Sequence, residues 1–252
     1  YGINAKWETI IRCHLSCKLV VIDDLVREHR ADLIIDQTVG RSGAEYKLAS
    51  ADSQVLAGSR YALLKGQFID MHLLALEKKI DKGNHRLLLS MGGVDSPNAT
   101  LAVLEALSLR DTAIQTTVLL NESAPHFEPV SVFCQLHTDW ITHIPFSEDM
   151  ASLMSRHTIA IGAPGATSWE RACIGLPTLM VPIANNQRQI CQNLLKEGAA
   201  LSLSLFEIPT LLNTRLDILL TNFDKMRSDS LKLCDGKGSG RVVDWMHTLG
   251  WL

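Results

Sequence analysis

The sequence lacks the features that would tie the protein to a membrane or to nucleic acid. No apolar run approaches the roughly 18 residues that a membrane-spanning helix needs, and the start shows no signal-peptide pattern. The formal net charge of the 252 residues is only −3, which gives no electrostatic basis for a nucleic-acid partner. The composition, 46% hydrophobic and 20% charged, predicts a globular protein of one large or two small domains.

The sequence also lacks the cysteine patterns of metal sites and disulfide frameworks. Its six cysteines form no CxxC pair. Two short patterns, Cys13-x-x-x-Cys17 and Cys134-x-x-His137, each supply too few ligands for a closed zinc site. Because a chain of this length needs no disulfide bonds, we expect a protein of the reducing cytoplasm, without a metal or a cofactor.

The beginning of the chain looks like the middle of a domain. Tyr1 comes first, without an initiator methionine, and a helical pattern follows at once over residues 5–16. Residues 18–22 and 31–36 are apolar runs typical of buried parallel strands, and the polar residues 40–60 predict a loop. A Rossmann-like domain usually has about five or six strands, so we expect an incomplete N-terminal domain that continues upstream.

A charged segment marks the predicted domain boundary. An apolar helix over residues 69–76 ends the N-terminal domain, which we assign to residues 1–76. Residues 77–84 are charged and polar and predict a linker. The remaining residues, 85–252, form the predicted C-terminal domain.

Strands and helices alternate regularly in this C-terminal part. The predicted strands are residues 86–90, 114–120, 140–144, 158–162, 177–182 and 200–204. The predicted helices are residues 97–108, 128–137, 149–156, 167–175, 186–197 and 207–233. This alternation implies right-handed βαβ units, a parallel sheet covered by helices on both faces, and an α/β fold whose ligand lies at the carboxyl ends of the strands.

Two of the loops at these strand ends are rich in small residues. Gly92 and Gly93 follow the first strand, where their N–H groups can hold a phosphate. The alternative is a tight turn in which Ser96 caps the next helix and Pro97 takes its first position, and both interpretations can hold together.

The second such loop leads from Gly165 to the helix start at Thr167 and Ser168. There a diphosphate would meet unpaired N–H groups and two hydroxyls, and Glu170 could accept both hydroxyls of a ribose. The alternative is that Thr167-x-x-Glu170 is a capping box.

Two further loops complete the predicted site. Phe146 and Met150 could form a flat pocket for a base, although they could equally be a hydrophobic staple beside a helix start. Amide side chains, which suit sugar hydroxyls and acetamido groups, cluster at the next strand end; the alternative is an Asn cap and a solvated helix turn. These amides are Asn185, Asn186, Gln187 and Gln189. Together the loops predict a nucleotide-sugar pocket with no metal cluster.

These motifs resemble those of known enzyme families. Asp149-Met150, the helix start from Gly165 to Glu170, and Gly175 to Pro182 resemble the UDP-binding domain of the GlcNAc transferases of lipid II synthesis. A closer resemblance, over nearly the whole chain, is to the UDP-sugar hydrolases of pseudaminic acid synthesis. It rests on residues 22–25, 31–37, 58–64, 90–95 and 184–187.

The resemblance implies a GT-B fold, in which two Rossmann-like domains with parallel sheets hold UDP between them, here with the N-terminal domain incomplete. It also implies hydrolysis of UDP-2,4-diacetamido-2,4,6-trideoxy-β-L-altropyranose by water attack at the anomeric carbon, with release of UDP. Glu170 would then hold the ribose, Asn186 and Gln187 the sugar, and Tyr1 the sugar or the attacking water. The candidate catalytic residues are Tyr1 and Asn186.

The hydrolase family also has a Gly-x-Gly-His-x-x-Arg motif whose His is the proposed catalytic group, and this sequence does not contain it. We therefore expect a fragment that binds UDP but turns over little UDP-sugar. Three alternatives stay open: a glycosyltransferase that uses the same donor site, a non-catalytic UDP-sugar-binding subunit completed by a missing N-terminal segment or partner chain, and a purely structural domain.

Overall fold

A computed structural model describes residues 3–81 and 83–252 of the chain. Its nine strands are β1 (Val20–Ile22), β2 (Leu33–Asp36), β3 (Gln54–Ala57), β4 (Arg86–Ser90), β5 (Gln115–Leu119), β6 (Ile141–Ile144), β7 (Ile159–Gly162), β8 (Thr178–Met180) and β9 (Ala200–Ser202). Its ten α-helices are α1 (Ala5–His14), α2 (Gln67–Glu77), α3 (Ala99–Ser108), α4 (Phe127–Leu136), α5 (Met150–Ser155), α6 (Thr167–Cys173), α7 (Gln187–Lys196), α8 (Ile208–Thr221), α9 (Phe223–Leu233) and α10 (Gly238–Thr248).

The chain divides into two compact units. The larger unit is Gln67–Lys232, and the smaller unit combines the residues up to Gly66 with Leu233–Leu252. Among the described helices, none is long and apolar enough to cross a membrane.

The smaller unit contains a three-stranded parallel sheet in the order β1-β2-β3. All four residues of β2 are buried, because this strand lies in the middle. One side of β2 packs against the C-terminal helix α10 through Leu33, Ile35 and Val242. The strands predicted at 18–22 and 31–36 are therefore present. The prediction of a loop over 40–60 is wrong at β3, a strand of four residues in which Leu56 is the one that is fully buried.

The larger unit contains a six-stranded parallel sheet in the order β6-β5-β4-β7-β8-β9. Every pairing between neighbouring strands is parallel. The central strands β4 and β7 read as continuous apolar runs, because helices cover both faces of the sheet. On one face, Leu87 and Leu89 pack with apolar residues of α3 and α8. All six strands predicted for this region are confirmed.

The units divide the chain at other points than the predicted boundary. Helix α2, expected in the N-terminal domain, belongs to the larger unit: His72 Nδ1 lies 2.7 Å from the carbonyl oxygen of Cys173, and Arg227 donates to the carbonyl oxygen of Ala75. The helix predicted over 207–233 is two helices, separated at Asn222. Helix α10 was not predicted, since its glycines weaken the helical pattern.

Gly238 tests the packing of α10 within the smaller unit. A Cβ at this position would collide with the backbone of Ala62, whereas a Cβ at Gly240, two residues along the same helix, would meet open space. We expect Gly238→Ala to lower the free energy of unfolding by about 1–3 kcal/mol.

The matched control is Gly240→Ala, which should raise this free energy by roughly 0.5–1 kcal/mol, because alanine favours a helix over glycine. Urea unfolding of the three proteins measures both effects. Equal shifts in the two variants would contradict the close approach of α10 to Ala62.

Candidate functional site

A cavity of about 420 Å³ lies in the larger unit, at the carboxyl ends of β4, β5 and β6 and beside the start of α6. This volume is within the usual range for small-molecule sites. The order of the strands reverses between β4 and β7, and open α/β sheets bind ligands at such a point. The walls are Ser90, Gly92, Gly93, Leu119, Asn121, Ser123, Pro145, Phe146, Ser147, Met150, Thr167 and Glu170.

The loop after β4 presents bare backbone to this cavity. Gly92 has a φ of +89°, a conformation that residues with a side chain rarely adopt. A Cβ built on Gly92 or Gly93 would meet no atom within 4 Å, so the space above both residues is open. Within the described residues, their N–H groups donate no hydrogen bond. The two glycines therefore line a volume in which an anionic group fits, and their contact with a phosphate stays a prediction.

The predicted cap of the following helix is wrong. The buried Asp95, not Ser96, accepts hydrogen bonds from the N–H groups of Ala99 (2.9 Å) and Thr100 (2.8 Å). Helix α3 begins at Ala99, so Pro97 lies outside it. Asp95 reaches this position because its backbone turns to φ +42°. A carboxylate therefore occupies the N-terminus of α3, so this helix end does not offer its N–H groups to a phosphate.

Thr167 and Glu170 lie together on the wall at the start of α6, as predicted. The capping-box alternative is not realised, since the residue before the helix is Ala166 and no side chain caps it. The Thr167 hydroxyl instead accepts a hydrogen bond from Arg171 Nη1 at 3.2 Å.

Gly165 and Ser168 are not part of the cavity wall. Ser168 is buried, and its hydroxyl oxygen accepts hydrogen bonds from Gly165 N at 3.1 Å and Arg171 Nη2 at 3.2 Å. The sequence predicted that the Ser168 hydroxyl contacts a diphosphate. In the structure this hydroxyl instead holds the loop after β7 in place. It ties the loop after β7 to the first turn of α6, and so fixes the position of Thr167.

Phe146 and Met150 form an apolar side of the cavity together with Leu119 and Pro145. The Phe146 side chain is 66% exposed, which is unusual for a large aromatic residue on a protein surface. Asp149 caps α5 by accepting from the N–H of Ser152 at 2.9 Å, and this fixes Met150 at the first helical position. A flat ring can lie against this side.

The amide cluster lies outside the cavity wall. Gln187 Oε1 accepts from the N–H of Ile183 (2.8 Å), and Gln189 donates to Asn193 (2.8 Å) one turn along α7. Asn186 precedes α7 but does not cap it with its side chain. Asn185 is exposed. The structure thus places these four amides after the next strand, β8, where Gln187 and Gln189 make local hydrogen bonds.

Asn121 and Ser123 were not predicted, although they line the cavity directly after β5. Their signal was available, because polar residues that follow a predicted parallel strand lie at the ligand-binding edge of the sheet. The predicted catalytic residue Tyr1 lies outside the described residues. Among the residues described, no three His, Cys, Asp or Glu side chains are grouped so that they could hold a metal ion.

Residues 90–235, which include every wall of this cavity, match the glycosyltransferase family 28 C-terminal domain. The chain belongs to this family. The crystal structure of MurG from Acinetobacter baumannii has the same fold, with a TM-score of 0.57 at 19% identity over 86% of this chain and 66% of that one. The fold is therefore of the GT-B type, as the sequence predicted.

Two curated relatives are similar in sequence. UDP-2,4-diacetamido-2,4,6-trideoxy-beta-L-altropyranose hydrolase of Campylobacter jejuni is 25% identical over 79% of this chain and 69% of its own length. Spore coat polysaccharide biosynthesis protein SpsG of Bacillus subtilis is 26% identical over 68% of this chain and 52% of its own length. The chain spans between 42% and 69% of the curated proteins it matches. It is thus a relative of nucleotide-sugar enzymes that covers part of their length.

The cap of α3 gives a direct test of the loop after β4. We expect Asp95→Ala to lower the free energy of unfolding by about 0.5–2 kcal/mol, because two buried N–H groups lose their acceptor. The control Ser96→Ala should change it by less than roughly 0.5 kcal/mol. Urea unfolding of the wild type and both variants measures these changes. A larger loss of stability in the Ser96 variant than in the Asp95 variant would support Ser96 as the cap, as the sequence predicted.

Proposed function

We propose that the cavity binds the UDP part of a UDP-sugar, and that the protein hydrolyses the bond between the anomeric carbon and the diphosphate. One observation carries the proposal. In a glycosyltransferase family 28 C-terminal domain, one cavity at the reversal of strand order combines open glycine N–H groups, a hydroxyl, a carboxylate and an apolar side.

Each part of UDP has a chemically suitable wall. The base lies against Phe146 and Met150, which offer a flat apolar surface. The carboxylate of Glu170 accepts hydrogen bonds from the two ribose hydroxyls. The diphosphate accepts from the N–H groups of Gly92 and Gly93 and from the Thr167 hydroxyl. All of these donors to the diphosphate are uncharged. In this arrangement the sugar points out of the cavity.

The sugar meets the amide cluster in this proposal. Asn185, Asn186 and Gln189 are placed at the adjoining strand end β8, where they suit acetamido and hydroxyl groups. The Oε1 of Gln187 accepts a hydrogen bond from the backbone N–H of Ile183, and its Nε2 has no partner among the described residues. Gln187 therefore acts as a donor to the sugar, and Asn186 contacts the reacting end.

The reaction is a substitution at the anomeric carbon. A water oxygen bonds to C1, the bond from C1 to the diphosphate oxygen breaks, and UDP leaves with the electron pair. The water loses its proton to a base. Donors at the diphosphate lower the barrier by stabilising the charge that develops on the leaving group. The similarity to the Campylobacter hydrolase supports this reaction.

A glycosyltransferase is the second candidate, and the family description favours it. It would use the same donor site, but a hydroxyl of an acceptor would replace water as the nucleophile. We expect UDP release from a UDP-sugar to need no acceptor, and to be slow because the sequence lacks the Gly-x-Gly-His-x-x-Arg motif. Chromatographic assay of free UDP measures this, and release that waits for an added acceptor would identify a transferase.

Binding of UDP to the chain tests the site itself. We expect calorimetric titration to show UDP binding in preference to ADP, and Glu170→Ala to weaken it by about tenfold or more, because a charge-assisted hydrogen bond is lost. The control is Glu105→Ala, an exposed carboxylate on α3 outside the cavity, which should leave UDP binding unchanged. Equal affinity for UDP in the wild type and the Glu170 variant would remove Glu170 from the site.

A further inference from the structure

The candidate cavity has an arginine buried directly behind its wall. Arg171 on α6 is only 3% exposed, although arginine is almost never fully buried without a charged partner. Its guanidinium donates to the carbonyl oxygen of Ala163 at 2.9 Å and to the hydroxyls of Thr167 and Ser168, both at 3.2 Å. All three acceptors are uncharged.

The nearest carboxylate that acts on this charge is that of Glu170, the preceding residue on α6. Among the described residues, no Asp or Glu oxygen forms an ion pair with Arg171. Burial lowers the pKa of Arg171 to about 10, while the neighbouring Glu170 acts in the opposite direction, so the guanidinium is still protonated at neutral pH. A buried charge without a partner costs free energy, and an anion nearby reduces that cost.

The charge lies next to the part of the cavity that suits phosphate. Thr167, which accepts from Arg171, forms the wall itself. A Cβ on Gly162 would lie 2.8 Å from Arg171 Nη1 and 2.5 Å from the carbonyl oxygen of Ser90. The guanidinium and the Ser90 carbonyl oxygen therefore lie on either side of the space that a side chain at Gly162 would fill, and Ser90 is another wall residue. In a low-dielectric interior, a charge acts across such a distance with little screening.

We propose that Arg171 is a positioning residue that selects ligands by their negative charge: it favours the diphosphate of a nucleotide through its buried positive charge, without touching the ligand. The proposal rests on the proposed function in placing the diphosphate in this cavity. The chain then needs no exposed cation in the site, and its affinity increases with the number of phosphates on the ligand.

A purely structural role for Arg171 predicts something different. If its hydrogen bonds only hold the loop after β7, removing them distorts the wall and weakens every ligand alike. A charge role weakens ligands in proportion to their charge. Uridine, UMP and UDP share the base and ribose and differ in charge, so the three ligands separate the two roles.

The experiment is calorimetric titration of the wild type, Arg171→Gln and Arg171→Lys with uridine, UMP and UDP, and with inorganic pyrophosphate. We expect Arg171→Gln to bind UDP at least about tenfold more weakly, UMP less so, and uridine within about twofold of the wild type. Arg171→Lys keeps the charge and should retain most of the preference for UDP. Equal weakening of all three ligands, or unchanged UDP binding in Arg171→Gln, would overturn the proposal.

A pH series keeps the test decisive if the Gln variant does not fold. Burial lowers the pKa of a lysine, so the ammonium in Arg171→Lys should lose its proton as the pH rises above neutral. UDP affinity of that variant should then fall with pH relative to uridine, while the wild type keeps its preference. A constant ratio in both proteins would contradict a charge role.

Failure of the proposed function gives a separate result. A wild type that binds pyrophosphate but not UDP, with pyrophosphate binding lost in Arg171→Gln, would support the role of Arg171 and reject the nucleotide. A wild type that binds neither would reject both. UDP binding that is selective in the wild type and equal in Arg171→Gln would reject only the role of Arg171.

Discussion

The parallel pairing of β4 with β7 is the constraint on which the site depends. The register pairs Leu89 with Ile161 and Ser90 with Gly162, so the two strands end side by side. Because the strand order reverses between β4 and β7, the loops that follow these strands diverge. The space between these loops is the cavity. The pairing is close enough that a side chain at Gly162 would strike the carbonyl oxygen of Ser90. Glycine at this position thus lets two loops that are about 70 residues apart in sequence form one wall.

The charges around the cavity follow from the same arrangement. Asp95 neutralises the start of α3, and helix α6 is only seven residues long, so neither helix end by itself makes an anion site. The donors at the surface are neutral, from Gly92, Gly93 and Thr167. The positive charge of Arg171 stands one layer deeper, where it cannot be neutralised by solvent ions. Position and charge are therefore supplied by different residues.

The sequence predicted the sheet and most of the loops that line the candidate cavity, because both depend on patterns along the chain. Apolar runs such as Leu87–Leu89 mark buried strands, and small residues after them mark ligand loops. It did not predict that Asp95 replaces Ser96 as the cap, since this depends on a left-handed backbone. It also predicted that the amides after β8 belong to the cavity, whereas they lie outside its wall. The order of the strands shows where a loop lies but not which of its side chains reach the cavity. The burial of Arg171 was not predicted, because it depends on tertiary packing.

The C-terminal helix α10 has a consequence for how the protein is made. Its residue Val242 completes the apolar core around Leu33 and Leu56, yet some 200 residues of chain are synthesised between them. Domains commonly fold in the order in which they leave the ribosome. Here the whole larger unit is synthesised before α10. Until α10 follows, part of the core formed by β1 to β3 stays exposed. The core of the smaller unit is therefore completed only after the whole larger unit has been synthesised.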